Sequence, residues 1–253
     1  MSLISNQGAG RTFFVADLHL TDERPVATGR FFRFLQEEAA GSDALYILGD
    51  LFEAWVGDDH DEQVAHDTAQ QLRVLVEAGT PVFFMHGNRD FMLASRYAAR
   101  SGMTLIAEPV RVDLYGTPTL LMHGDTLCTD DTAYQSFRRR ARHPLTLALL
   151  RRLPYSLRQR LARQARAGSE SAKAGKAAAI MDVNTDEVVR VLREHQVGRR
   201  RMEGEDLGIH AQFPHPPRDE LCVLGTEIKD QDRFFHEAKI EKIGLSDDPP
   251  ACM

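Results

Sequence analysis

Four short blocks of Asp, His and Asn punctuate the first half of this chain, and each closes an apolar run. They read Phe13-Phe-Val-Ala-Asp-Leu-His-Leu20, Ala44-Leu-Tyr-Ile-Leu-Gly-Asp50, Val82-Phe-Phe-Met-His-Gly-Asn-Arg-Asp90 and Thr119-Leu-Leu-Met-His-Gly-Asp125. A short apolar run bounded by turn residues reads as a buried strand. Strands that all end in ligand-type residues deliver those residues to one edge of a sheet. Asp17 and His19 lie two residues apart, so they point the same way at a strand end. Hard carboxylates and an Asn amide oxygen favour Mn²⁺ or Mg²⁺, and imidazole shifts the balance toward Mn²⁺, Fe²⁺ or Zn²⁺. A carboxylate such as Asp50 can bridge two ions about 3.5–4 Å apart, the spacing of two-metal hydrolases. Such a pair activates water and neutralises charge growing on phosphoryl oxygens, which points to hydrolysis of a phosphate ester or anhydride. Taken singly, an Asp or His after a strand is more often a turn former or helix cap. His86 reads as a core histidine satisfied by backbone.

Between these blocks the pattern alternates. Strands are expected at 12–17, 44–49, 82–86, 109–114 and 118–123. Helices are expected around Phe31, Phe32, Phe34 and Leu35, over 62–78, and near 92–101. Strands alternating with helices predict a layered α/β fold, a β-sandwich flanked by helices. From about 130 the pattern becomes helical only, with Pro144 and Pro154 as breaks. This predicts two or three amphipathic helices inserted as a cap. The expected organisation is a core over 1–129 and 177–246, a cap over 130–176 and a disordered tail over 247–253. Residues 1–11 read as a loose terminus, 176–195 as a returning helix, and 221–224 and 239–243 as two last strands.

The net charge of -6 hides an asymmetry: between Asp131 and Glu170 there is no acidic residue, yet ten arginines. A cationic block usually serves an anionic partner. It reads either as a solvated bundle face or as a cap that covers the metal edge and touches an anionic membrane, since basic faces beside Leu and Phe suit interfacial binding. No apolar stretch approaches the roughly 20 residues needed to span a bilayer. No nucleic-acid motif is present, so no nucleic-acid partner is expected. The first ten residues lack the apolar block of a secretory signal, and the three cysteines (Cys128, Cys222, Cys252) have no CxxC spacing. A reduced, cytoplasmic setting without a disulfide framework is the expectation.

The blocks Asp17-x-His19, Gly49-Asp50, Gly87-Asn88-Arg89-Asp90 and His123-Gly124-Asp125 resemble the calcineurin-like metallophosphoesterase superfamily. Longer stretches, Ala44 to Trp55, His86 to Phe91, Met122 to Asp131 and Ala179 to Asn184, are similar to its branch that acts on lipid A precursors. The resemblance implies a hydrolase with two Mn²⁺ ions, peripheral on the cytoplasmic side of the inner membrane. Its implied reaction splits the pyrophosphate of UDP-2,3-diacylglucosamine into UMP and the lipid 1-phosphate. It also implies Asp17, His19, Asp50, Asn88 and His123 as the catalytic metal ligands. Substrate contacts are implied at Asn88, Arg89, Asp131, Ser169 and Lys176, with Lys173 standing where the family has Asn. The guanidinium of Arg89 suits a bidentate grip on a phosphoryl oxygen; its alternative is an ion pair with Asp90. Lys173 and Lys176 could fold over an anionic head group or simply be solvated, and Leu145 to Leu161 could line a slot for acyl chains.

The family pattern ends on Gly-His-x-His, and this chain departs from it. After His195 it reads Gln196-Val-Gly-Arg-Arg-Arg-Met202, and the nearest substitutes are His210 and His215. Without two imidazoles each ion is short of a ligand, so activity is expected to be weak unless one of these histidines binds metal. The competing expectations are another phosphodiesterase or nucleotide phosphatase of the superfamily, and a catalytically impaired member that acts as a membrane-surface binding protein.

Overall fold

The computed structural model describes residues 4–6, 10–174, 183–195, 223–224 and 236–238, with side chains over 10–168 and 183–195. Strands β1 (Ile4–Asn6), β6 (Val110–Leu114), β7 (Thr117–Leu121) and β8 (Val223–Leu224) form one sheet in the order β1-β6-β7-β8. Strands β2 (Thr12–Val15), β3 (Ala44–Ile47), β4 (Val82–Met85), β5 (Thr104–Ile106) and β9 (His236–Ala238) form the other, in the order β5-β4-β3-β2-β9. In this second sheet β2 to β5 are parallel and β9 runs antiparallel on the edge beside β2. Helices α1 (Pro25–Glu37), α2 (Gln63–Glu77) and α3 (Ser95–Ser101) make the crossovers between consecutive parallel strands.

The continuous apolar runs follow from this layering, because the parallel sheet is covered on both faces. Alternate residues serve the two sides of the pleat. Phe13, Val15, Leu45, Ile47 and Phe84 pack with Phe31, Phe34 and Leu35 of α1 and with Leu72 and Leu75 of α2. Phe14, Tyr46, Leu48 and Met85 meet Val112, Leu114 and Leu121 of the opposite sheet. Along the parallel sheet's side of that interface, neighbouring strands stack the rings of Phe14 and Tyr46 at 5.2 Å and those of Tyr46 and Phe83 at 4.8 Å. Each such side chain taken from water contributes roughly 1.5–3 kcal/mol. This is the layered sandwich flanked by helices that the sequence predicts.

Three helices follow the β6–β7 hairpin: α4 (Thr132–Ala141), α5 (Pro144–Arg152) and α6 (Tyr155–Ala174). Neither α4 nor α5 contains a buried residue. Leu147 and Leu150 of α5 are partly buried against the helix-side core. Helix α7 (Thr185–Glu194) starts at Asn184, whose side chain accepts from the Asp186 and Glu187 amides, a strong cap. It packs Val188, Val191 and Leu192 on Leu120, Met122 and Leu127.

One expectation shifts and another holds in part. The terminus read as loose contributes β1, paired in parallel with β6. The expected strand at 221–224 is present as β8, paired with β7. The strand expected at 239–243, the tail at 247–253 and the first part of the helix at 176–195 lie outside the described residues, and β9 falls just before the predicted strand.

Candidate metal centre

The loops that follow β2 and β3 are joined by backbone hydrogen bonds, Asp17 N to Gly49 O (3.2 Å), His19 N to Asp50 O (3.0 Å) and Leu20 N to Leu51 O (2.9 Å). This pairing beyond the C-terminal ends of parallel strands is where open α/β sheets place ligands. Asp17, His19 and Asp50 all adopt left-handed backbone there, with φ of 52°, 48° and 53°. Such conformations cost a non-glycine residue about 1–3 kcal/mol and persist only where the surroundings enforce them. They turn the three side chains together: each offers one ligand atom, and these atoms all lie within 4.8 Å of one another. Two carboxylates and one imidazole so arranged suit a divalent cation.

The floor under this cluster leaves no room for extra atoms. A Cβ on Gly49 (φ 98°) would stand 2.6 Å from both Gly87 Cα and His123 Nδ1. A Cβ on Gly87 would collide with the carboxylate and backbone nitrogen of Asp50. Glycine at these two positions lets the loops after β3 and β4 touch.

The second nitrogen of His123 is hydrogen-bonded, and that of His19 lies within ion-pair range of a carboxylate. Glu53 Oε2 lies 3.3 Å from His19 Nδ1, and His19 Nε2 faces Asp17 and Asp50 at 3.9 Å each. Buried His123 donates Nδ1–H to Leu48 O at 2.9 Å, which leaves Nε2 for a ligand. A carboxylate or carbonyl behind the imidazole is the usual way to fix the tautomer and orientation of a metal-binding histidine. Burial lowers the pKa of His19 against the pull of Asp50 and Glu53. Burial also depresses His123, but Asp50, Asp125 and Asp17 outweigh it and its pKa rises. Asp90 is fully buried beneath the site, accepting from the Leu51 and Gly87 amides at 2.8 Å each. Burial and the Asp50 charge push its carboxyl up to about 7. Negative charge is concentrated here beyond what the protein neutralises, as a cation site requires.

The remaining predicted residues take distinct places. Asn88 is exposed, between Gly87, which packs on Asp50, and Arg89, whose amide donates to Asp50 Oδ1 at 2.8 Å. His123 sits beside Gly49 but outside the 4.8 Å cluster. Arg89 does not pair with Asp90: its guanidinium meets Glu53 Oε1 at 3.2 Å, because both Asp90 oxygens already serve backbone amides. Asp131 caps α4, accepting from Tyr134 N at 3.0 Å. Ser169 and Lys173 fall on α6 where only the backbone is described, and Lys176, His210 and His215 lie outside the described residues. His86 hydrogen-bonds Leu93 O at 2.7 Å, the core role expected of it.

The arginine block divides into two sets. Arg139, Arg140, Arg151, Arg152, Arg160 and Arg163 are exposed. The other four turn toward the core. Arg138 and Arg142 meet Glu108 and Asp125, and Arg166 meets Glu53 Oε1 at 3.0 Å. Arg158 is buried, donating to Val56 O and pairing with Asp59. Reading the run only as an outward face misses these four, because inward and outward arginines are identical in sequence. Glu53, Asp90 and Glu108 have no site role in the sequence reading; Asp90 closes the Gly87-Asn88-Arg89-Asp90 block and Glu53 stands three residues beyond Asp50, whereas Glu108 carries no signal.

With the site in view, the comparisons give it a class. Residues 10–168 match the family model for calcineurin-like phosphoesterases, and the chain belongs to that family. Among curated proteins it is similar to enzymes described as UDP-2,3-diacylglucosamine hydrolase. That of Cellvibrio japonicus (strain Ueda107) is 49% identical over 214 residues, 85% of this chain and 86% of the relative. Those of Enterobacter sp. (strain 638) and Escherichia coli O127:H6 are each 50% identical over 186 residues, 74% of this chain and 78% of the relative. Among solved structures, a protein of unknown function from Aquifex aeolicus covers 63% of this chain and 74% of its own, at 16% identity and a TM-score of 0.33, too slight a likeness to carry an argument.

Proposed function

We propose that this chain hydrolyses the pyrophosphate bond of UDP-2,3-diacylglucosamine, releasing UMP and 2,3-diacylglucosamine 1-phosphate, with two Mn²⁺ ions as cofactor. The observation that carries the metal half of this reading is the convergence of Asp17, His19 and Asp50 on one point. The substrate half rests on near 50% identity to the hydrolases named above. Bound divalent ions supply an activated water and neutralise charge on the phosphoryl oxygens. Asp17, His19, Asp50, Asn88 and His123 would hold the ions. Glu53 keeps the His19 ring turned toward its partners, and Leu48 O does the same for His123. Arg89 grips a phosphoryl oxygen, releasing Glu53 as it does so. Asp131, Ser169, Lys173 and Lys176 are proposed to meet the nucleotide sugar.

The cap is proposed to bring this site to its lipid at the cytoplasmic side of the inner membrane. Phe137, Leu145, Leu149, Leu157 and Leu161 are exposed on it, Leu145 at 76%, interspersed with the six outward arginines. Apolar and basic side chains together suit an anionic lipid surface. No helix among the described residues is long and apolar enough to cross a membrane.

The test is UMP release from UDP-2,3-diacylglucosamine by purified protein across a Mn²⁺ titration, beside a generic phosphodiester. Metal-dependent cleavage of the nucleotide lipid alone is expected; cleavage of the diester instead would reassign the substrate class. A second reading is favoured by the missing Gly-His-x-His motif: a catalytically impaired member that binds the membrane surface. Under the first reading the His210→Ala, His215→Ala double variant loses activity; under the second the unaltered protein floats with anionic vesicles and releases no UMP.

A further inference from the structure

Beside the loops that carry Asn88 and His123 lies a quartet of charges that none of the roles above uses. Glu108 lies just before β6 and Asp125 just after β7, while Arg138 comes from α4 and Arg142 from its C-cap. Their side chains are largely withdrawn from water, at 9% and 7% exposure for the acids and 17% and 19% for the arginines. Arg138 bridges both acids, with Nη2 2.8 Å from Glu108 and Nε 2.8 Å from Asp125. Arg142 reaches Asp125 at 3.3 Å and Glu108 at 3.7 Å. Tyr134 on α4 adds its hydroxyl to Asp125 at 2.7 Å.

Two contacts leave this quartet for the metal loops. Arg142 donates to Gly87 O at 2.9 Å, immediately before Asn88. Glu108 accepts from the backbone amides of His123 (3.0 Å) and Gly124 (3.3 Å). The same charges that anchor the first cap helix therefore also fix the backbone of two of the five proposed ligands.

We infer that Glu108, Asp125, Arg138 and Arg142 are positioning residues: they couple the seating of helix α4 to the placement of Asn88 and His123, and so to metal affinity. None of them reaches the cluster of Asp17, His19 and Asp50; they act through Gly87 O and the His123 amide. The inference rests on the metal half of the proposed function and is independent of the substrate. Such a quartet has net charge near zero, so what it contributes is geometry more than attraction, and removing one member leaves its partners buried and uncompensated.

The test is Mn²⁺ binding measured by calorimetry on the full chain without substrate, together with hydrogen exchange of segments 86–91 and 122–125. Arg142→Ala and Glu108→Gln are expected to weaken Mn²⁺ binding about tenfold, the scale of partners behind ligands. They should also speed exchange in both segments. Arg142→Lys, which keeps charge and one donor, should recover part of each effect. Arg190→Ala, which removes only an exposed ion-pair partner on α7, should change neither. If Arg142→Ala fails to fold, Arg142→Lys and Glu108→Gln decide the matter. Unchanged Mn²⁺ affinity in a folded variant of the quartet overturns the inference, as does a loss of stability without any change in binding. A protein that shows this coupling yet leaves UDP-2,3-diacylglucosamine intact defeats the substrate reading and leaves the coupling standing.

Discussion

The rim of the parallel sheet and the helical cap are built on opposite principles. At the rim, placement comes from backbone: strands buried on both faces, loops hydrogen-bonded to each other, and two glycines that let chains touch. On the cap, α4 and α5 bury nothing fully, and attachment falls to Arg138, Arg142, Arg158 and Arg166. Tyr155 adds a contact to His60 Nδ1 at 2.9 Å, and His60 stacks on Trp55 at 4.7 Å. Hydrophobic burial carries no titratable charge, whereas the cap's ion pairs are lost once their carboxylates protonate. The difference therefore assigns rigidity to the metal loops and conditional attachment to the cap.

The strongest way to break this division is at the rim. Asp50→Asn should lower metal-dependent hydrolysis by more than about 100-fold, beyond the range of partners behind ligands. Circular dichroism should stay near that of the parent, and an active Asp50→Asn would remove Asp50 from the ligand set. Gly87→Ala should cost on the order of 1–3 kcal/mol of stability by overpacking against Asp50, read from urea unfolding. A neutral result would show that the two loops are less tightly seated than their geometry states. Glu53→Gln should weaken Mn²⁺ binding roughly 10–100-fold. It also frees Arg89 and Arg166, so unaltered affinity would leave His19 oriented by its backbone alone.

Acid sharpens the comparison from the cap side. Burial raises the pKa of Asp125, but the Arg138 hydrogen bond, His123 and Arg142 together pull it below the usual carboxylate range. A depressed folded pKa means that the stabilisation is complete above the unfolded value, near 3.9, and is lost as pH falls through the lower folded value. As pH falls below about 4, unfolding should therefore show a steeper loss of stability in the parent than in Asp125→Asn. Equal slopes would place acid sensitivity elsewhere. The smallest stability effect is expected at Leu145→Ser with Leu149→Ser: within about 0.5 kcal/mol, since both are exposed. Their vesicle binding should nonetheless fall, and undiminished flotation would exclude this face from membrane contact.

How far the sequence reveals the molecule follows the same division. The rim is legible because buried strands write a continuous apolar run and their ends write Asp, His and Asn, so Asp17, His19 and Asp50 were identifiable from spacing. The partners behind them were not. Glu53 approaches His19 through a loop fold that has no period, and Glu108 meets the His123 amide across the β6–β7 hairpin, beyond the apolar runs that mark its strands. Arg138 and Arg139 are neighbours in the chain, yet one is bonded to two buried acids and the other is exposed. Helical phase alone could have separated them only with the register of α4 on the core already known. The short β1 was invisible for a related reason: three residues, Ile4 to Asn6, acquire strand character only by pairing with β6.

The left-handed backbone at Asp17, His19 and Asp50 sets one limit on how this protein could be engineered. Glycine at any of these positions removes a conformational penalty and, at the same stroke, a proposed metal donor. A campaign that screened only for heat resistance would thus be drawn toward inactivating replacements here, a direct conflict between durability and chemistry. Screens on this scaffold must read out ion binding alongside melting temperature, or they will enrich sturdy molecules that no longer do anything.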